Sequence, residues 1–218
     1  MSTIHCLCGL GADCRMFSRL QVPGHELKCI EWVRPAPDES LSDYAARLAP
    51  MVDGSEPPIL LGVSFGGVMA LELSKYVRPA LTILVSSIRR PTELPWYFRL
   101  PGKLRLHRLL PLNTSRFSEF NVRFLNGVRD EEDIRLLRAM LHDADMHFTR
   151  WAIDRLVLWE GCAPSGQVVH IHGSSDRMLP IRFVSPDVCV NGGSHLMIVT
   201  RAQELGSIIA DVLEQNLQ

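Results

Sequence analysis

The chain has 218 residues, 46% of them hydrophobic and 22% charged, which predicts one well-filled domain with room for an insertion and excludes an unfolded chain. Its formal net charge of −1 excludes a globally basic nucleic-acid binder. No apolar run approaches the roughly 18 residues of a membrane span, and no cationic run precedes a long apolar stretch at the start, so a secretory signal is not expected.

The first apolar run covers residues 3–8 and ends at Gly9-Leu10-Gly11. A second, over 27–33, stops before Pro35. Residues 41–52 carry Leu41, Tyr44, Ala45, Leu48 and Met51 on one helical face, with Ser40 or Ser42 placed to cap it. Residues 59–63, Ile-Leu-Leu-Gly-Val, are apolar on both faces, as the middle of a parallel sheet requires. A helix over 65–76 and a buried strand over 80–85 follow, then further strands over 168–171 and 188–190 and a closing helix over 197–213. This alternation predicts an α/β fold with a doubly wound, mostly parallel six-stranded sheet. Between 89 and 162 the rhythm breaks into helical pattern punctuated by Pro91, Pro95, Pro101, Pro111 and Gly127. Helices are expected over 95–109, 114–126, 131–142 and 147–159. The last is apolar enough for the core layer, and the others form a lid above the sheet. The predicted division is a core of 1–88 and 146–218 with a helical lid of 89–145.

Gly62-Val63-Ser64-Phe65-Gly66-Gly67 stands between a buried strand and a helix. A serine at so sharp a turn takes strained backbone angles and tolerates only small neighbours two positions away. The turn exposes its hydroxyl above a helix N-terminus that favours negative charge. Ser64 is therefore the expected nucleophile, and it needs a positioned base. Among eight histidines, His195 lies just after the last strand, at the carboxyl edge where Ser64 points. His172, at the same edge, is the rival, and His170 reads as structural. Asp176, four residues past the fifth strand, is the expected acid that orients the base. Asp187 precedes the last strand and so sits at the wrong edge. The oxyanion hole is expected from the backbone amides of Phe65 and of Leu10.

Together, Cys8-Gly9-Leu10-Gly11-Ala12-Asp13, the segment around Ser64, His172-Gly173-Ser174-Ser175-Asp176 and Gly193-Ser194-His195 resemble the α/β-hydrolase superfamily over essentially the whole chain. The order Ser, Asp, His is the family's. Cys8-Gly9 stands where the family often has His-Gly, which leaves a backbone oxyanion donor intact. The family's first two strands have no counterpart, so the resemblance implies six parallel strands ordered 2-1-3-4-5-6. The small size and helical lid are similar to pimeloyl-acyl-carrier-protein methyl ester esterases and to hydrolase-fold lyases of the menaquinone pathway.

Residues 89–129 hold nine basic residues (Arg89, Arg90, Arg99, Lys103, Arg105, Arg108, Arg116, Arg123, Arg129) against Glu93 and Glu119, an excess of +7. Either this is a solvated helical face, or the lid receives an anionic partner such as an acyl carrier protein or a coenzyme A thioester. Trp96, with Tyr97 and Phe98, is a candidate wall for an acyl pocket. Arg105, Arg108, Met178 and Leu196 complete the expected substrate contacts. Hydrolysis of a carboxylic ester or thioester through an acyl-enzyme on Ser64 is the leading expectation. A lyase using the same triad for proton abstraction, or a non-catalytic small-molecule receptor, is the alternative. No metal or cofactor is expected, since neither an HExxH nor a GxGxxG after a strand occurs, and no nucleic-acid partner, since the basic residues are not interleaved with stacking aromatics on a recognised module. The six cysteines, without a CxxC pair, are expected as free thiols in a reducing cytoplasm.

Overall fold

The computed structural model of the chain describes residues 2–54, 56–104 and 124–217. Six strands, β1 (Ser2–Leu7), β2 (His25–Ile30), β3 (Ile59–Val63), β4 (Leu81–Val85), β5 (Gln167–Gly173) and β6 (Val188–Val190), form one sheet in the order β2-β1-β3-β4-β5-β6. Every pairing is parallel, so the α/β expectation and its strand order hold. Register aligns the carboxyl ends: Leu7 faces Gly62, Val63 faces Val85, Val85 faces Ile171 and Gly173 faces Val190. Loops that leave β1, β3, β4, β5 and β6 therefore emerge along one edge.

Because successive strand residues point to opposite faces, β3 feeds two cores. Leu61 and Val63 join Ile83, Val85, Ile171, Ile198, Leu205 and Ile209 on one side. Leu60 joins Leu7, Leu84, Tyr44, Met69, Leu73, Phe148 and Trp151 on the other. The second side is covered by α1 (Leu41–Leu48), α2 (Phe65–Val77) and, beyond the short α3 (Trp96–Lys103) and α4 (Glu131–Asp143), by α5 (Met146–Val157). Ser40, not Ser42, caps α1, accepting the Asp43 amide at 3.1 Å. The helix α4 starts on Asp130, whose carboxylate accepts the amides of Glu132 and Asp133. It buries Ile134, Leu137 and Met140 in the first core. Its Leu141 packs on the loop after β1, where a Cβ at Gly11 would come within 2.8 Å of it.

Two expectations are corrected. The closing helix is not continuous: α6 (Met197–Thr200) and α7 (Ala202–Asn216) meet at Arg201, whose backbone leaves the helical region at φ −136°. Its guanidinium is drawn to the Asn191 carbonyl and to Glu204. The cysteines are not all free either. A 3₁₀ turn at Cys14–Phe17 folds back beside β2 and brings Cys14 to Cys29, with Cα atoms 5.7 Å apart, in a disulfide. The sulfur of buried Cys8 lies 3.7 Å from that of Cys29. Cys6, Cys8, Cys162 and Cys189 are free thiols. No helix among the described residues is long and apolar enough to cross a membrane.

Candidate active site

The turn from β3 into α2 forces Ser64 to φ +53°, a left-handed value that a non-glycine residue adopts only when its surroundings compel it. Three bonds compel it here. The Ser64 amide donates to Val85 O at 3.0 Å, and its carbonyl accepts from Gly67 N at 2.9 Å and from Ser87 Oγ at 2.6 Å. The glycines around it leave no room for a side chain: a Cβ on Gly62 would sit 2.3 Å from Gly66 O, and one on Gly66 would sit 2.2 Å from Leu7 O. The 13-residue helix α2 begins at Phe65, directly under the serine, and its dipole favours developing negative charge there.

His195 and Asp176 arrive on the loops after β6 and β5. These loops are laced together: Ser174 N donates to Val190 O, Ser175 N to Gly193 O, and Gly192 N to Ser174 Oγ, at 2.8–3.0 Å. They cross at Gly173 and Gly193, where a Cβ on the former would stand 2.2 Å from the carbonyl oxygen of the latter. Asp176 Oδ2 lies 2.8 Å from His195 Nδ1, and His195 Nε2 lies 3.1 Å from Ser64 Oγ. A carboxylate accepts, so Nδ1 carries the proton and Nε2 turns a lone pair to the serine hydroxyl. His195 and Asp176 are each only 4% exposed, while Ser64 is half-buried. Burial pushes the Asp176 carboxyl up. The His195 imidazole beside it, the Leu179 amide and the nearby His172 outweigh that and hold it below the ordinary carboxylate range.

The loop after β1 also reaches the serine. Gly9 lies against Ser64, close enough that a Cβ there would be 3.4 Å from the serine Cβ. Among the described residues neither the Leu10 nor the Phe65 amide donates to a protein acceptor. The substrate-contact candidates divide. Met178 is half-buried and gives its amide to Asp176, and Leu196 is buried beside His195. Trp96 is 61% exposed on α3, edge-on to Tyr97. Arg105 and Arg108 lie outside the described residues.

Several site residues escape motif reading. Ser87 follows β4 at the same edge, a position that could have flagged it, yet its bond to the Ser64 carbonyl is visible only in three dimensions. The chain returning from the insertion is fastened to both loops. Arg177 donates to Phe124 O at 3.2 Å and stacks 4.4 Å over the Phe124 ring. Leu196 N donates to Asn126 O at 3.4 Å, and Gly127 lies so close to Ser194 that its Cβ would be 2.5 Å away. A cavity of about 430 Å³ lies beside the Cys8–Arg15 loop, walled by Trp32, Val33, Met140 and Phe148. Ser64 and His195 do not line it, but its Trp32 and Phe148 rings pack on Phe65 at 5.8 and 6.0 Å.

Comparison with known proteins agrees with this fold. The model of the alpha/beta hydrolase family matches residues 7–206. A search of curated protein sequences gave no match. Among solved structures, an esterase from Exiguobacterium antarcticum is similar with a TM-score of 0.77 at 15% identity, over 98% of this chain and 92% of that one. A thermophilic esterase from Thermogutta terrifontis gives 0.74 at 16% identity, over 99% and 90%. A lipase-esterase related protein from Clostridium acetobutylicum gives 0.68 at 14%, over 96% and 93%. With the family model spanning nearly all of the sequence, and with the sheet order to match, the chain belongs to the alpha/beta hydrolase family.

Proposed function

We propose that this protein hydrolyses a carboxylic ester or thioester through an acyl-enzyme on Ser64. The observation that carries the reading is the unbroken line from Ser64 Oγ through His195 to Asp176. In this reading His195 Nε2 takes the Ser64 proton as Oγ attacks the substrate carbonyl, and Asp176 stabilises the imidazolium that results. The Leu10 and Phe65 amides supply the donors that hold the tetrahedral oxyanion. The imidazolium then gives its proton to the leaving alkoxide or thiolate. Water, deprotonated by the same nitrogen, cleaves the acyl-enzyme and restores Ser64. That fold neighbours from E. antarcticum and T. terrifontis are esterases supports ester chemistry over proton abstraction. The excess of +7 between residues 89 and 129 supports an acyl group delivered on an anionic carrier, an acyl carrier protein or coenzyme A.

The test is a fluorophosphonate and intact mass spectrometry on wild type and Ser64→Ala. A single adduct on the wild type, absent from the variant, is expected, together with a burst of product from an activated ester. A folded wild type that takes no adduct refutes the acyl-enzyme. Labelling of Ser64 without ester or thioester turnover would favour the lyase or receptor readings.

A further inference from the structure

Asp176 has more neighbours than its partnership with His195 requires. Its Oδ1 accepts the amides of Met178 at 2.9 Å and Leu179 at 2.8 Å. Its Oδ2 accepts His195 Nδ1 at 2.8 Å and has a second neighbour, His172 Nε2, at 3.4 Å. That same nitrogen lies 2.8 Å from the carbonyl oxygen of Leu179. A carbonyl and a carboxylate only accept, so Nε2 of His172 carries the proton and its Nδ1 keeps a lone pair. The lone pair faces His170 Nε2 at 3.1 Å, which must therefore be the protonated nitrogen of His170. One carbonyl thus sets both tautomers. The opposite assignment would turn the Nε2 lone pair of His172 onto the Leu179 oxygen and the Asp176 carboxylate together.

This chain of two imidazoles is wholly buried, and it ends on His170 Nδ1, which finds no well-formed hydrogen-bond partner among the described residues. Two residues apart on β5, the rings share a face of the strand, with Leu84 beside His170 in the register. Buried, incompletely satisfied imidazoles destabilise a core in which a branched aliphatic side chain would pack without a polar atom. Packing does not explain them. A role for His172 as an alternative base is also unsupported, since it is fully buried and its Nε2 is directed at Leu179 and Asp176.

We propose that His172, held in its tautomer by the Leu179 carbonyl and backed by the His170 donor, is a positioning residue for Asp176. Its N–H anchors the Leu179 carbonyl, and with it the turn whose two amides hold Oδ1. The same N–H also flanks Oδ2, the oxygen that accepts His195 Nδ1, so the carboxylate presents one fixed edge to the base. The inference rests on the Ser64–His195–Asp176 reading and adds a fourth and fifth member behind it.

The experiment compares His172→Phe, which keeps a planar ring without a donor, with His172→Gln, whose side-chain amide restores an N–H near the Nε2 position. Loss of a partner that orients an active group typically lowers activity about 10- to 100-fold. His172→Phe is expected to lose about that much in kcat and in the rate of fluorophosphonate labelling, with KM unchanged. The downfield proton resonance of the His195–Asp176 hydrogen bond should vanish with it. His172→Gln should recover most of both. A wild type that labels at Ser64 while His172→Phe labels equally fast overturns this inference alone. Equal losses in both variants overturn it too, because they report packing. A folded wild type inert to the probe overturns the triad reading and this inference with it. Should His172→Phe fail to fold, His170→Leu removes the donor to His172 Nδ1 that steadies the ring; the same signature at smaller amplitude supports the proposal, and unchanged kcat refutes it.

Discussion

Acid should unfold this protein through His170. The ring is 0% exposed, and burial, followed by the charges of His172 and Arg89, pushes its pKa from 6.5 down to about 3, against opposing pulls from Asp187 and the Ser87 backbone. The folded state therefore leaves this imidazole neutral where the unfolded chain protonates it. Unfolding takes up a proton, so the contribution to stability is complete above about pH 6.5 and drains away as pH falls toward 3. At about 1.4 kcal/mol per pH unit, the loss between pH 7 and pH 4 comes to about 3 kcal/mol from this residue. His170→Gln keeps a donor for His172 but cannot titrate. Urea unfolding of wild type and variant at pH 7 and pH 4 isolates the effect, because Asp176, Asp13 and the other shifted groups act alike in both proteins. Wild type should lose about 3 kcal/mol more than His170→Gln over that interval. Parallel losses would mean that His170 takes its proton without unfolding, and the argument from burial would fail.

Two further expectations concern charge and covalent structure. Reversing Arg105 and Arg108 to Glu should raise KM for a coenzyme A thioester severalfold and leave a neutral ester unaffected; equal effects on both substrates would refute the anionic-carrier reading. Cys29→Ser opens the Cys14–Cys29 link, which spans a sequence separation of 15, and should cost about 3 kcal/mol in urea unfolding. Reductant should bring wild type to the level of the variant, and overlapping curves with and without reductant would show that the link contributes nothing.

The sheet was readable because its strands are short apolar runs bounded by glycine and proline, and because a strand such as 59–63 buries all five residues whichever face is considered. Position along the chain then placed Ser64, Asp176 and His195 at the ends of β3, β5 and β6, and the parallel topology alone brings such ends to one edge. What stayed hidden depends on contacts between distant segments. Nothing local tells that the turn at Cys14 folds back onto β2, so six scattered cysteines read as thiols. The break at Arg201 follows from its reach to the Asn191 carbonyl, not from any proline or glycine in the helix. His170 and His172 look like two structural histidines on a strand until the Leu179 carbonyl gives them a direction.

The fastening of residues 124–127 to the acid and base loops bears on how this protein could diversify. Phe124 is bound by the residue after Asp176, and Asn126 by the residue after His195. The last stretch before α4 therefore belongs, mechanically, to the loops that carry Asp176 and His195. A homologue's insertion transplanted with its own version of these residues would displace the Asp176 and His195 side chains. One exchanged only up to residue 123, with 124–130 kept from the recipient, would leave them where they are. Recombination inside the segment, not at its ends, is the route by which a new specificity could be acquired with the chemistry intact.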